Sequence, residues 1–271
     1  MKPRVPSLDL AARRKLLIGV VHLLPLPGSP RWAGSMDAVI NTAKADAIAY
    51  KRGGADAIIV ENFGDAPFAK DGVPAETVAA MSAAGLAVRM AVGLPLGFNV
   101  LRNDAHAALA LCAACGGSFI RVNILSGVMV TDQGVIEGRA FEVLRARRAL
   151  CPEVKILADV HVKHAAPLAS VPISQAALDT VERGFADALV VSGAGTGKAT
   201  DPAKALDVKR ACPGVTVLIG SGVTASSVRA FEAAADGFIV GSSLKRGSKL
   251  SNPVDSRRVA ALRRALEGTT R

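Results

Sequence analysis

The chain has 271 residues, half of them apolar and 21% charged, which excludes a disordered, collagen-like or coiled-coil protein. Aromatic residues make up only 4%, too few for recognition of single-stranded nucleic acid by stacking. The 33 basic and 23 acidic side chains leave a net charge of +10, which invites an anionic partner. Much of that excess lies in terminal runs (Lys2, Arg4, Arg13, Arg14 and Lys15; Lys245, Arg246, Lys249, Arg257, Arg258, Arg263, Arg264 and Arg271) that read as solvated faces. No nucleic-acid-binding motif accompanies the charge, so a nucleic-acid partner is not expected.

The longest apolar stretches are strand-sized, which predicts no transmembrane helix. Pro3, Pro6 and Asp9 interrupt the N-terminal segment, where a secretory signal needs an unbroken apolar run, so a cytoplasmic protein is expected. Four cysteines do not form a disulfide framework in a chain of this length. Cys112 and Cys115 fall in an Ala-rich helical run with no second pair to complete a zinc site, and read as small buried hydrophobes.

Taken in chain order, apolar runs predict eight strands: Lys15–His22, Asp56–Glu61, Pro95–Val100, Ser118–Leu125, Lys155–Lys163, Asp187–Ser192, Thr216–Gly220 and Gly237–Ser242. Helical patterns fill the intervals at Asp37–Arg52, Ala75–Val92, Asn103–Cys115, Glu137–Leu150, Ser174–Arg183, Pro202–Ala211 and Ala225–Ala234, and a last helix covers Asp255–Glu267. The segments GADAIIVEN, FADALVVSG and AADGFIVGS repeat one turn-and-strand pattern, and two Cys-Pro pairs, at Cys151 and Cys212, each end a helix before a strand. Buried strands alternating with helices indicate a parallel sheet covered by helices. Eight units in this length predict a single (β/α)8 TIM barrel over residues 1–271, with an N-terminal arm at 1–14 and the barrel over about 15–267. An open doubly wound sheet is the alternative, but nothing supplies its reversal of strand order.

The long connections follow strands, on the face where barrel active sites are built. Alternation in ILADVHVKH sends Ile156, Ala158, Val160 and Val162 to one side, and Asp159, His161 and Lys163 to the other. A carboxylate, an imidazole and an amine in one interior column are costly unless they pair or perform chemistry. Glu61 and His22 close neighbouring strands and complete the catalytic candidates. Asn99, Asn103, Arg121 and Asn123 are the substrate-binding candidates, although Asn103 or Asp104 also suits a helix cap. The last three strands end in glycine and serine, so Ser192, Gly193, Gly220, Ser221, Gly222, Gly241 and Ser242 form a candidate phosphate site, with tight βα turns as the alternative reading. No metal ligands are assigned. The His and carboxylate set is compatible with a divalent metal but does not require one, so the cofactor is left undetermined. Lys163 suits either a Schiff base or an ion pair with Asp159.

These segments, among them LIGVVHLLPLPGSPRW, GFNVLRNDAHAALALC, FIRVNILSGVMVTDQGVIEG, ILADVHVKHAAPL and ADGFIVGSSLK, resemble the BtpA/SgcQ family of barrel proteins over roughly residues 15–262. The resemblance implies one of two roles. One branch is named for accumulation of photosystem I, as a peripheral membrane-associated factor. The other is linked with carbohydrate utilisation and described as a nucleosidase or phosphosugar enzyme. It carries no settled catalytic residues. The expectation is therefore an enzyme acting on a small phosphorylated sugar or nucleoside-like metabolite by lyase, isomerase or nucleosidase chemistry. The alternative is a non-catalytic biogenesis factor whose membrane contact, lacking an amphipathic anchor, would be electrostatic. A homo-oligomer is compatible with either role.

Overall fold

The repeated Ala-Asp turn has one job in three places. Asp56, Asp187 and Asp236 each stand just before a strand and accept the backbone N–H of the preceding strand, from Leu17, Ile156 and Val217 respectively, at 2.8–2.9 Å. Each also holds a cation: Arg263 with Asp56, Arg147 with Asp187 and Lys209 with Asp236. The aspartate thus sets the stagger between neighbouring parallel strands, and repeating it repeats the (βα) unit.

The computed structural model of the chain describes residues 6–12, 14–193 and 195–268. Eight parallel strands close into a barrel: β1 (Leu16–His22), β2 (Ala57–Glu61), β3 (Leu96–Asn99), β4 (Phe119–Val122), β7 (Lys155–Val160), β9 (Ala188–Val191), β10 (Thr216–Ile219) and β11 (Gly237–Val240), with β1 paired to both β2 and β11. Seven helices cover it: α1 (Met36–Arg52), α2 (Ala75–Val92), α3 (Ala105–Cys115), α4 (Ala140–Leu150), α5 (Ile173–Leu178), α6 (Pro202–Ala211) and α7 (Ser256–Glu267). Ser35, Asp104, Asp201 and Asp255 start α1, α3, α6 and α7 by accepting backbone N–H groups of the first turn. The TIM barrel expected from the repeats is the fold observed.

Strand alternation divides the core into two. The outward set packs under the helices, while Leu16, Ile18, Ile59, Phe119, Leu157, Val190, Leu218 and Ile239 fill the barrel interior. Leu8, with Leu10 and Ala12, closes the floor of that interior, and Leu10 O accepts Thr216 Oγ1 at 3.0 Å. Part of the N-terminal arm is therefore a plug. Lys15, Lys245 and Arg263, counted in sequence with the solvated basic runs, are buried instead. Lys15 donates to the Glu232 and Ala235 carbonyls, Lys245 pairs with Asp46 at 3.0 Å, and Arg263 pairs with Asp56 at 2.9 Å. They tie both chain ends to the barrel.

Four local expectations change. The strands expected at Ser118–Leu125 and Lys155–Lys163 stop at Val122 and Val160, because the chain beyond each leaves the barrel. The connection after β4 forms a hairpin, β5 (Val128–Thr131) and β6 (Gly134–Glu137), and β8 (Ala165–Pro167) from the loop after β7 joins it as a third antiparallel strand. The helix expected at Ala225–Ala234 reduces to a 3-10 turn at Val228–Phe231, where Thr224 and Ser227 hydroxyls compete for the local backbone. Helix α2 is long and apolar enough to cross a membrane by length and composition alone, contrary to the strand-sized estimate. In the fold, its Met81, Ala84 and Val88 are fully buried in the core under the helices.

Candidate active site

The C-terminal ends of the strands carry their inward-facing polar residues to one level. Arg121 from β4 stands between two carboxylates. Its Nε and Nη2 donate to the two oxygens of Asp159, both at 2.8 Å, and its Nη1 reaches Glu61 Oε1 at 3.5 Å. Asn99 Nδ2 donates to Glu61 Oε1 at 3.0 Å, Asn123 Nδ2 to Asp159 Oδ2 at 3.0 Å, and Ser192 Oγ to Asp159 Oδ1 at 3.4 Å. Glu61, Asn99, Arg121, Asn123 and Asp159 are all buried. Burial alone would raise the Glu61 carboxyl, but Arg121, Lys163, His22 and the Asn99 hydrogen bond together hold it below the usual range. Burial alone would lower the Arg121 guanidinium, and the Asp159 pair reverses this and keeps it charged.

Asp159 is thus fully engaged, which answers the question left open about Lys163. Among the described residues no carboxylate lies within ion-pair distance of the Lys163 amine. Burial first, and then the Arg121 charge, push the amine below its ordinary value. A lysine so placed gives up its proton more readily and becomes a better nucleophile or base. It lines a cavity of about 260 Å³ together with Glu61, Asn99, Asn123, Arg102 and Phe63.

His161 departs from the expected column. Its φ is +50°, outside the extended backbone on which alternation depends, and its side chain lines a separate cavity of about 230 Å³ between the hairpin and α5. Val162 then packs with Ile124, Met129 and Ile136 under the hairpin, and Lys163 returns to the mouth. Burial lowers the His161 imidazole, with a smaller contribution from Lys204. Asn103 is likewise elsewhere: its amide grips the backbone N–H and carbonyl of Ile124 at 2.8 and 2.9 Å. Asp104 caps α3 by accepting the Ala107 N–H.

Five of the seven glycine and serine candidates come together, while Ser192 turns to Asp159 and the Gly193 N–H is taken by Ser221. Gly220, Ser221, Gly222, Gly241 and Ser242 line one hollow with His22, Lys163 and Thr196. Its volume is about 30 Å³, roughly one water's share of liquid. Much of this glycine serves close packing. A Cβ on Gly222 would sit 2.4 Å from the Ala199 backbone, and Ser221 Oγ accepts the Gly193 N–H while donating to the Lys198 carbonyl.

His22 is half-buried, edge-on to Phe63, and its Nδ1 has no partner. Burial lowers its pKa to about 4, with Lys245 and Lys163 acting in the same direction and Glu61 opposing them. Because the folded value lies below the unfolded one, near 6.5, the unfolded chain binds the extra proton. His22 therefore costs no stability above about pH 6.5 and loses roughly 2–3 kcal/mol as pH falls to about 4. His22→Gln should flatten the stability–pH curve between those values, measured by urea unfolding; an unchanged acid limb would place the imidazole in water.

Among the described residues no three His, Cys, Asp or Glu side chains converge as a metal-binding group. Glu61 and Asp159, the carboxylates that would serve, already share a guanidinium. Cys112 and Cys115 are buried free thiols, the first donating to the Phe119 carbonyl. Lys245, just past the Gly241–Ser242 turn, is held by Asp46 at 3.0 Å. Two groups at the mouth were not singled out in sequence as site residues: Arg102, and the aromatic wall of Phe63 and Phe68.

The closed barrel, with titratable groups gathered at its C-terminal mouth, defines a TIM-barrel protein built as ligand-binding and catalytic barrels are. Residues 13–268 match the BtpA family, and the chain belongs to it. It is 49% identical to the photosystem I biogenesis protein BtpA of Synechocystis, over 92% of this chain and 87% of that one. It is 47% identical to an uncharacterized protein of Pyrococcus furiosus, over 94% of this chain and 95% of that one. Among solved structures, native KDPGal superposes with a TM-score of 0.62 at 15% identity, covering 97% of this chain and 98% of that one. Tryptophan synthase of Mycobacterium tuberculosis gives 0.61 at 21% identity, covering 94% and 93%. These structural likenesses concern the fold.

Proposed function

We propose that this barrel is an enzyme acting on a small phosphorylated sugar or nucleoside-like metabolite, with Lys163 as its reacting amine. The observation that carries this reading is the unpaired, half-buried Lys163 beside the buried Glu61–Arg121–Asp159 cluster, at the edge of a cavity at the mouth. A barrel that only scaffolds an assembly has no need to bury such a group, since unpaired buried charge costs stability. Glu61, held ionised, and His22, held neutral, each line a cavity with Lys163 and would pass or orient a proton. The Gly220–Gly222 and Gly241–Ser242 loops would hold the phosphate by their backbone N–H groups.

A second reading is favoured by the name of the Synechocystis relative: a non-catalytic biogenesis factor working at a membrane surface. Melting curves against a panel of sugar and nucleoside phosphates separate the two. The enzyme reading expects a phosphorylated compound to raise Tm while its unphosphorylated parent does not, and Gly241→Val to abolish the rise. A Cβ on Gly241 would stand 2.5 Å from the His22 ring and close the hollow. No shift across the panel, with salt-sensitive binding to anionic vesicles instead, would favour the biogenesis reading.

A further inference from the structure

Three arginines are buried among the described residues: Arg102, Arg121 and Arg263. Arg121 has Asp159 and Glu61, and Arg263 has Asp56. Arg102 has no carboxylate within ion-pair distance among the described residues, although it is only 3% exposed. Its Nη2 donates to the Lys163 carbonyl at 2.6 Å, and its Nε has no partner. An arginine buried this far without a counter-charge is costly and calls for an anion.

The surrounding chain holds Arg102 in place. Asn62 clamps the preceding residue by accepting the Leu101 N–H at 2.7 Å and donating to its carbonyl at 3.4 Å. Asn103 locks the following one to Ile124, and the Arg102 N–H itself donates to the Ala69 carbonyl at 3.1 Å. Asn62 and Asn103 thus flank the arginine as positioning residues. Arg102 forms part of the wall of the 260 Å³ cavity, facing the same space as Asn99, Lys163 and exposed Arg31, with two acidic groups, Glu61 and Asp132, also in the lining. The cluster of buried Glu61, Asp159, Arg121 and Arg102 with half-buried Lys163 holds three basic groups against two carboxylates, so one bound anion balances it when Lys163 is protonated.

We propose that Arg102 anchors an anion subsite, distinct from the glycine–serine loops, that takes a carboxylate or phosphate group of the substrate. Lys163 and Thr196 line both this cavity and the glycine–serine hollow, so the Lys163 amine stands between the two. The substrate class that follows is a short metabolite with an anionic group at each end and its reacting carbon between them. That class rests on the loops being a phosphate cradle; the Arg102 subsite does not.

Calorimetric titration of the full chain with phosphoglycolate, glycolate and inorganic phosphate tests both parts. Phosphoglycolate should bind at least tenfold more tightly than either fragment. Arg102→Gln should weaken it by roughly 10–100-fold, the range of a charge-assisted hydrogen-bonded pair. Arg102→Lys should recover only part, because a point charge lacks the guanidinium fork. The ligand-free Arg102→Gln protein should melt no lower than wild type, having lost an unpaired buried charge. A merely structural arginine would give the reverse, a lower Tm with unchanged affinities. If phosphoglycolate binds no better than glycolate but Arg102→Gln weakens both, the subsite stands and the phosphate cradle falls. Affinities unchanged by Arg102→Gln, or no binding of any probe to wild type, overturn the subsite. Should Arg102→Gln fail to fold, wild-type crystals soaked in phosphoglycolate decide: anion density at the Arg102 guanidinium upholds it, and density absent there overturns it.

Discussion

Replacing Asp159 by alanine should destabilise the protein by about 3–5 kcal/mol, because it strands the Arg121 guanidinium in the barrel with only Glu61 at 3.5 Å. In a chain of this size that corresponds to a fall in Tm of roughly 6–20 °C. Asp159→Asn should cost less, since the amide keeps the shape and part of the hydrogen bonding to Asn123 and Ser192. The double variant Arg121→Met/Asp159→Leu should recover a good part of the loss, as apolar replacements of buried ion pairs often do. Chemical denaturation of the four proteins measures all of this. A loss under about 1 kcal/mol for Asp159→Ala would mean that water reaches the pair, since exposed ion pairs contribute no more than that.

Lys163→Met should reduce turnover of the true substrate by at least 10²–10⁴-fold, the range attributed to positioned acid–base groups, without lowering Tm. Because the folded amine titrates below the unfolded value of 10.5, the unfolded chain binds more protons between the two. Wild-type stability should therefore rise as pH climbs towards 10.5, and the Lys163→Met protein should lack that rise. If the chemistry passes through an imine, which forms with loss of water and takes up two hydrogens on reduction, borohydride with a carbonyl substrate should add the substrate mass less one oxygen to wild type and nothing to Lys163→Met. A variant that melts lower and turns over normally would reassign Lys163 to the fold.

The barrel was legible because its closure is written as a repeat. Asp56, Asp187 and Asp236 recur at the same place in the unit and make the same backbone bond, so spacing alone reveals the architecture. The inward polar ring of Glu61, Asn99, Arg121 and Asp159 was legible for the same reason, since all four lie on regular strands or at their ends, where alternation holds. His161 was misplaced because alternation was carried one residue past the end of β7, into a positive φ. Arg102 stands with the polar residues that close the third strand, but nothing local set it apart as a site residue. An arginine at a loop start is usually solvated, and this one is buried by the β2–α2 connection, whose Ala69 carbonyl accepts its N–H across the mouth. The three-stranded sheet pairs segments far apart in sequence, and no periodicity within either segment announces that pairing.

That small sheet bears on how this barrel can change. Loops on a TIM barrel are commonly independent modules, so one can be lengthened or exchanged while its neighbours stay put. Here Met129, Val130 and Thr131 of the connection after β4 are hydrogen-bonded in register with Pro167, Ala166 and Ala165 of the connection after β7, and the latter carries Lys163 two residues before its paired segment. Trimming the hairpin would loosen the loop that carries Lys163, and re-routing that loop would unseat the hairpin. Two of the eight interchangeable parts have been fused into one heritable unit, so new specificity on this scaffold must come from the loops that remain separate.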